Sequence, residues 1–398
     1  MADKLSFSVI GEVTPELRQL LSEFEQIRHI KIELVNMSWE RAWSKLLTYA
    51  LQGQGPDISH VGSTWVSSLV TMNSLREFSP REVEALGGAQ VFTTPAWQSA
   101  TLQGDPRVWS MPWSSFTFLV LYRRDHLKTA KIDEQTAFET PAALLEAVQK
   151  LRKGGFQSPI VLPSGKPFLD RVHIAASWVW GAGGNYLNDD GTQALLNSPE
   201  TREGLKSFFE LYRLMSPNDF GLSYEDTLER FRKGETSVVI ADCSFPARVA
   251  QEKPQLVEDT GVRPLPGVPF VSGDNLVIWQ ATRQFPDRER LALELVTFLV
   301  GRSAQVRFCQ SMEQFPVRHD AVDALDCEIK QLIPVLKKTF ETGRAHKSVQ
   351  LWSRYEQQLG RALDEITADV ISKSNLPVDS ILEIHLSQLQ HRFSLLMG

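Results

Sequence analysis

The chain has 398 residues, 42% of them apolar and 23% charged, and a net charge of −6 at pH 7. That length exceeds one ordinary core and implies two domains, and the composition excludes a disordered or fibrous chain. An acidic balance without a long Lys/Arg run gives a nucleic-acid partner no footing.

Cys243, Cys309 and Cys327 are too few and too scattered for a disulfide framework or a metal site, and read as reduced, buried residues. The amino terminus, MADKLSFSVIGEV, has no basic region followed by an apolar segment. No later stretch reaches the roughly 18 apolar residues of a membrane span. A cytoplasmic location and export with the leader removed both stay open on these grounds.

Leu5 to Ile10 alternates as a strand, and Gly11 to Thr14 turns into a helix that begins at Pro15 and carries Leu17, Leu20, Leu21 and Phe24 on one stripe. Ile30 to Val35 is a second strand. Ser38 caps a helix through Trp43, Leu46, Leu47 and Ala50, which Gly53, Gly55 and Pro56 stop. Asp57 to Val61 is a third strand. Strand, helix, strand, helix, strand predicts a parallel sheet with helices on its faces, and its ligands belong at the carboxyl ends of the strands. Those ends carry Glu12 and Thr14, Ser38 and Trp39, and Ser63, Thr64 and Trp65.

Trp109 to Tyr122 is a β-prone run that begins beside a proline, and it places Trp113, Ser114, Ser115 and Phe116 at a domain junction. Helices follow at Ala143 to Leu151, Phe168 to Trp180, Glu200 to Met215 and Tyr224 to Phe231, with a short strand at Pro159 to Leu162. Ser237 to Ala241 is a buried strand that ends at Asp242, Cys243, Ser244 and Phe245. Pro264, Pro266 and Pro269 make Val262 to Phe270 an extended crossing segment, and Gly273 to Trp279 reads as a strand re-entering the first domain. Arg290 to Val300 and Ser303 to Cys309 are helices, Pro316 marks a second return, and Pro334 to Phe340, Leu351 to Ile371 and Ile381 to Leu396 form a helical tail.

The order of these landmarks resembles the extracellular solute-binding proteins of ABC importers, the subgroup that includes the maltose-binding protein. The likeness rests on GPDISHVGSTWV, VWSMPWSSFTFLVLYRRDHL, GGNYLNDDG, FRKGETSVVIADCSF, VRPLPGVPFVSGDNLVIW, RLALELVTFLVGRSAQVRF and FPVR. It implies an α/β fold of two lobes, each a mostly parallel sheet flanked by helices, with residues 1–115 and 272–315 in one lobe and 116–271 and 316–398 in the other. It further implies capture of a carbohydrate between the lobes by hinge closure, a membrane permease as partner, a monomer, and an extracytoplasmic location. No cofactor or metal belongs to this reading.

Carried over residue by residue, the resemblance implicates Glu12, Thr14, Trp39, Glu40, Ser63, Thr64, Trp65, Trp113, Ser114, Ser115 and Phe116 in the pocket. In the far lobe it implicates Asp170, Trp178, Asp242, Ser244, Phe245 and Trp352. The family often has Gly, Pro and Trp where this chain has Asp242, Cys243 and Ser244. An indole packs on the C–H face of a pyranose while Asp, Glu and Ser take its hydroxyls, which suits a neutral sugar; about half of these Trp residues are expected to serve the core instead. Asp242 either meets a ligand or caps the helix after it, and Glu12 either meets a ligand or favours the amino end of the Pro15 helix. His29, His60, His126, His319 and His346 are dispersed without metal-ligand spacing. An enzyme is not expected: no compact pair of carboxylates and no nucleophile elbow is present. An intracellular sensor of the same fold, signalling to a partner protein, is the alternative.

Overall fold

The computed structural model describes residues 4–165, 167–312, 314–325, 329, 331–346, 349 and 352–397, so that Cys327 and Leu351 lie outside the described residues. The chain divides into two compact units: Met1–Phe116 with Val271–Asp326 and Ala345–Ser353, and Thr117–Phe270 with Cys327–Arg344 and Arg354–Gly398. Its strands are β1 (Lys4–Ile10), β2 (Lys31–Met37), β3 (Ile58–Gly62), β4 (Thr101–Leu102), β5 (Asp105–Val108), β6 (Met111–Arg123), β7 (Val238–Asp242), β8 (Thr260–Pro264) and β9 (Val271–Ile278).

In the first unit β1 pairs in parallel with β2 from Lys4–Lys31 to Ile10–Met37, and with β3 at Phe7–Ile58 and Ser8–Ser59. β9 closes this part of the sheet against β3 in the opposite direction, with Asp274 facing Gly62 and Ile278 facing Ile58. Side chains alternate across a strand, so each face feeds its own apolar cluster. Leu5, Phe7, Ile58, Leu276 and Ile278 join Leu17, Leu20, Phe24 and Leu295 on one side, whereas Ile10, Val61 and Val277 join Ala42, Leu46 and Val66 on the other.

The helix α1 (Pro15–Arg28) starts where the Thr14 hydroxyl accepts the Leu17 N–H at 3.2 Å, and it ends at His29 in the left-handed region. Its buried stripe is Leu17, Leu20, Leu21 and Phe24. The helix α2 (Trp39–Gln52) ends at Gly53, φ 61°, a conformation that favours glycine. Asp57, 1% exposed, accepts the Ser6 N–H at 2.8 Å and meets an Arg288 nitrogen at 2.7 Å, so the polar residue that opens the third strand ties β1 to the helix Pro286–Leu299.

In the second unit the ladders run antiparallel rather than mostly parallel. The half of β6 beyond Phe116 lies between β7, from Phe118–Asp242 to Tyr122–Val238, and β8, from Leu119–Pro264 to Arg123–Thr260. β8 falls inside the stretch expected to be merely extended: Pro264 lacks an N–H, and as the last residue of the strand it still permits pairing. The short strand expected at Pro159 to Leu162 reduces to one parallel bridge, Val161 to Val239. Helices Pro141–Lys153, Pro199–Arg213 and Tyr224–Arg232 begin at hydroxyl caps on Thr140, Ser198 and Ser223. Gly204 lets the helix Pro199–Arg213 press on the helix Arg171–Gly181, where a Cβ would stand 2.5 Å from the Val179 Cα. That second helix starts three residues later than its period suggests, because the Phe168 N–H bonds the Asp364 carboxylate at 3.3 Å and Arg171 pairs with the same group. The helices Trp352–Ser372 and Val378–Met397 form the tail.

Candidate ligand-binding site

The loops at the carboxyl ends of β1, β2 and β3 bring several of the expected residues of the first unit together. Trp39, the first residue of α2, leaves 45% of its surface exposed. Its indole stands edge-on to Trp65, with ring centres 5.7 Å apart, and Trp65 in turn leans on Trp43 at 5.5 Å. Two glycines make room for this pair. A Cβ on Gly11, which adopts φ 82°, would lie 3.2 Å from Trp39 Nε1, and one on Gly62 would lie 3.6 Å from Trp65. Beside Trp39 a cavity of about 320 Å³ is lined by Gly11, Asn36, Met37, Ser38 and Glu40. Glu40 is exposed there, and its own backbone N–H and the Ser38 side chain hold its carboxyl below the usual range.

Behind the indoles lies a polar layer. Ser63 and Ser272 share a hydrogen bond at 3.0 Å, and Ser114 donates to Asp274 Oδ2 at 3.1 Å. Thr64 is half-buried in the turn Ser63–Trp65. Ser115 is buried with its hydroxyl unpartnered, while its backbone pairs with Phe315.

Other expected residues of this unit serve structure. Trp113 is fully buried, stacked on Phe308 at 4.2 Å and edge-on to Phe7 at 6.1 Å, so both its faces belong to the core. Trp352, expected in the far lobe, falls in the first unit, where it is 2% exposed and stacks on His346 at 4.2 Å. The Thr14 hydroxyl is engaged by Leu17 and Ser311, Glu12 is exposed in its loop, and Phe116 is half-buried.

In the second unit Asp242 is saturated with donors. Tyr224 O–H donates to it at 2.7 Å, the Ser244 N–H at 3.0 Å and Arg248 at 3.1 Å, and the Ser244 hydroxyl adds another. The carboxylate thus holds the turn that leads into the helix Phe245–Glu252 through Ser244, the residue before its first turn, and among the described residues it accepts no backbone N–H from the helix itself. Asp170 keeps 45% of its side-chain surface, yet desolvation first and the Asp242 carboxylate second push it up to about 6. Trp178 and Phe245 are core residues, Trp178 lying edge-on to Phe208 at 5.1 Å and Phe245 at 0% exposure.

Several residues near these positions escape the sequence reading. Phe168 stacks on Tyr224 at 5.1 Å, and His173 stacks on Phe270 at 4.5 Å with Glu356 3.4 Å from its Nε2. Trp180 carries the Arg344 guanidinium 4.9 Å over its ring. Tyr224 and Asp242 are 18 residues apart, and no local pattern announces their bond. His60 did leave a signal, a titratable ring inside an otherwise buried strand. Among the described residues no group of three or more His, Cys, Asp or Glu could hold a metal ion.

A sheet whose loops gather paired indoles, hydroxyls and carboxylates, in a chain of two α/β units, defines the two-lobed binding-protein class. The comparisons agree: residues 19–333 match the model of the bacterial extracellular solute-binding proteins, and the chain belongs to that family. Among solved structures it is similar to the sugar-binding protein MalE of Xanthomonas citri, at 19% identity and a TM-score of 0.81 over 98% of this chain and 97% of that one. It is also similar to maltose-bound MalE3 of Thermotoga maritima, at 19% identity and 0.79 over 98% and 99%. A ribitol complex of a solute-binding protein from Agrobacterium radiobacter follows at 17% and 0.76 over 98% of each chain. At such identities the likeness shows the fold. No curated protein matches by sequence. Among the described residues no helix is long and apolar enough to cross a membrane.

Proposed function

We propose that this solute-binding protein captures a carbohydrate, a sugar, oligosaccharide or polyol, and delivers it to the membrane permease of an ABC importer. The observation that carries the reading is the Trp39–Trp65 pair: of the indoles considered, Trp39 is the one left open, and it stands at the strand ends beside Glu40 and a hydroxyl layer. An indole face takes the C–H surface of a sugar ring while the carboxylates and hydroxyls take its O–H groups. Solved structures of the same fold hold maltose, tagatose and ribitol. The second unit carries polar groups of its own, Asp170, Tyr224 and Asp242.

The test is a thermal-shift screen with maltose, D-tagatose, ribitol and longer oligosaccharides, followed by calorimetry. A ligand at about a hundred times its Kd adds about 2.7 kcal/mol to the folded state and raises the midpoint. No shift with any member of the panel, set against a clear shift with an amino acid or a polyamine, removes the carbohydrate reading. The protein is expected to run as a monomer, extracytoplasmic in its host, and to release no cleavage product from the oligosaccharides it binds.

A further inference from the structure

His60 is a buried titratable group of the first unit that the proposed function leaves unused, and its surroundings are specific. Its residue is 5% exposed, in the middle of β3. Nδ1 accepts the backbone N–H of Ile10 at 3.1 Å, which assigns the proton of the neutral ring to Nε2. Nε2 faces Asp274 Oδ2 at 3.3 Å, off the line of a hydrogen bond, and so remains a buried donor without a formal partner. The edges of the imidazole meet two indoles, Trp39 at 5.7 Å and 87°, and Trp113 at 5.0 Å and 80°. One of these is held in the core by Phe308 and the other is the open face of the site.

Asp274 completes the arrangement. It is 8% exposed, opposite Gly62 in the ladder, and the contacts of its carboxylate with Ser114 and His60 both fall on Oδ2. Oδ1 has no hydrogen-bond donor among the described residues. The Asp274 side chain keeps 11% of its surface, and Oδ1, unlike His60 Nε2, is not sealed from solvent, so a donor supplied from outside can reach it and make a charge-assisted hydrogen bond.

Resting on the carbohydrate reading above, we propose that His60 is the positioning residue of this site. Anchored to β1 through Nδ1, it sets the orientation of the Trp39 indole and of the Asp274 carboxylate, whose Oδ1 accepts a hydroxyl of the ligand. Such a site is organised before the ligand arrives, so less ordering is left for binding to bring about. The chemistry selected is a neutral O–H donor next to a C–H face, as in an unmodified sugar or polyol.

Two readouts test this in the full chain, one of them free of ligand. The exciton signal of the Trp39–Trp65 pair in circular dichroism, isolated by subtracting the Trp39→Phe spectrum, reports indole orientation. Calorimetry with maltose, D-tagatose and ribitol reports affinity. His60→Asn keeps an acceptor for Ile10 but has no ring edge, and is expected to lose the exciton signal and to weaken binding several-fold. His60→Phe keeps a flat ring, and is expected to restore the exciton signal while binding stays weak, because Asp274 has lost the N–H it faces. Asp274→Asn is expected to cost about tenfold or more in affinity, the scale of a hydrogen bond to a charged group, with the exciton signal intact. An unchanged exciton signal in His60→Asn, or wild-type affinity in Asp274→Asn, overturns the proposal. If the wild-type protein binds no sugar or polyol of the thermal-shift panel, the carbohydrate reading and the role of Asp274 fall together, and the exciton signal alone decides whether His60 positions Trp39. Should His60→Asn not fold, His60→Gln, which also lacks a ring edge, gives that answer.

Discussion

The two units present chemically different faces. In the first, an indole stands open, Ser115 has a buried hydroxyl without a partner, and Asp274 has an oxygen without a donor. In the second, Asp242 already holds Tyr224, Ser244 and Arg248, and the large side chains Trp178 and Phe245 are sealed inside. Unmatched groups are where a ligand can gain, whereas saturated groups hold a shape. The difference marks the first unit as the one with polar groups still open to a donor, and the second as one whose polar groups are already committed.

The largest expected effect comes from breaking a sealed indole. Trp113→Ala removes a side chain packed between Phe308 and Phe7, and should lower folding stability by about 3–5 kcal/mol, read as an earlier urea or thermal midpoint. Trp352→Ala and Trp178→Ala belong to the same class, both residues being nearly inaccessible. By contrast Trp39→Ala should leave the midpoint close to wild type and weaken sugar binding by about 1–3 kcal/mol. A Trp39 variant that unfolds early while binding normally would reverse the assignment of the two classes.

A smaller effect tests the room made for the open indole. Gly11→Ala forces a Cβ into a left-handed backbone, at roughly 1–2 kcal/mol, and sets it 3.2 Å from Trp39 Nε1. The expected outcome is a modest loss of stability together with a blue shift of Trp39 emission and weaker binding. If the spectrum stays as it was, the indole has space to spare and the glycine serves only the turn.

Much of this fold was legible because it is local. The period of Leu17, Leu20, Leu21 and Phe24 gives α1, and Thr14, Ser198 and Ser223 mark helix starts by chemistry that acts within three residues. The antiparallel pairing of β8 was not legible, since Pro264 argues against a strand unless its place at the strand end is known. The site divides along the same line. Trp39 and Trp65 could be placed at strand ends from strand and helix boundaries alone. Whether an indole is open or sealed depends on partners far along the chain: Trp113 is closed by Phe308, and Trp178 by Phe208. Asp242 shows the point most sharply, because its character follows from Tyr224 and Arg248, which nothing in its own neighbourhood of sequence selects.

The smallest effect, and the one specific to the second face, concerns Asp170. Its carboxyl is raised to about 6 by desolvation and by Asp242, against about 3.9 in an unfolded chain. A raised folded-state value means that the native protein holds this proton more tightly than the unfolded chain does. The contribution of Asp170 to stability is therefore complete below pH 4 and is lost as the pH rises through 6. Asp170→Asn, which cannot ionise, lacks that loss. The midpoint of the variant minus that of the wild type should climb between pH 4 and pH 7 and level off above. With nearly half of the side chain in solvent the climb is modest, and its direction is the informative quantity. A flat difference over that range would mean that Asp170 titrates as an ordinary surface carboxylate.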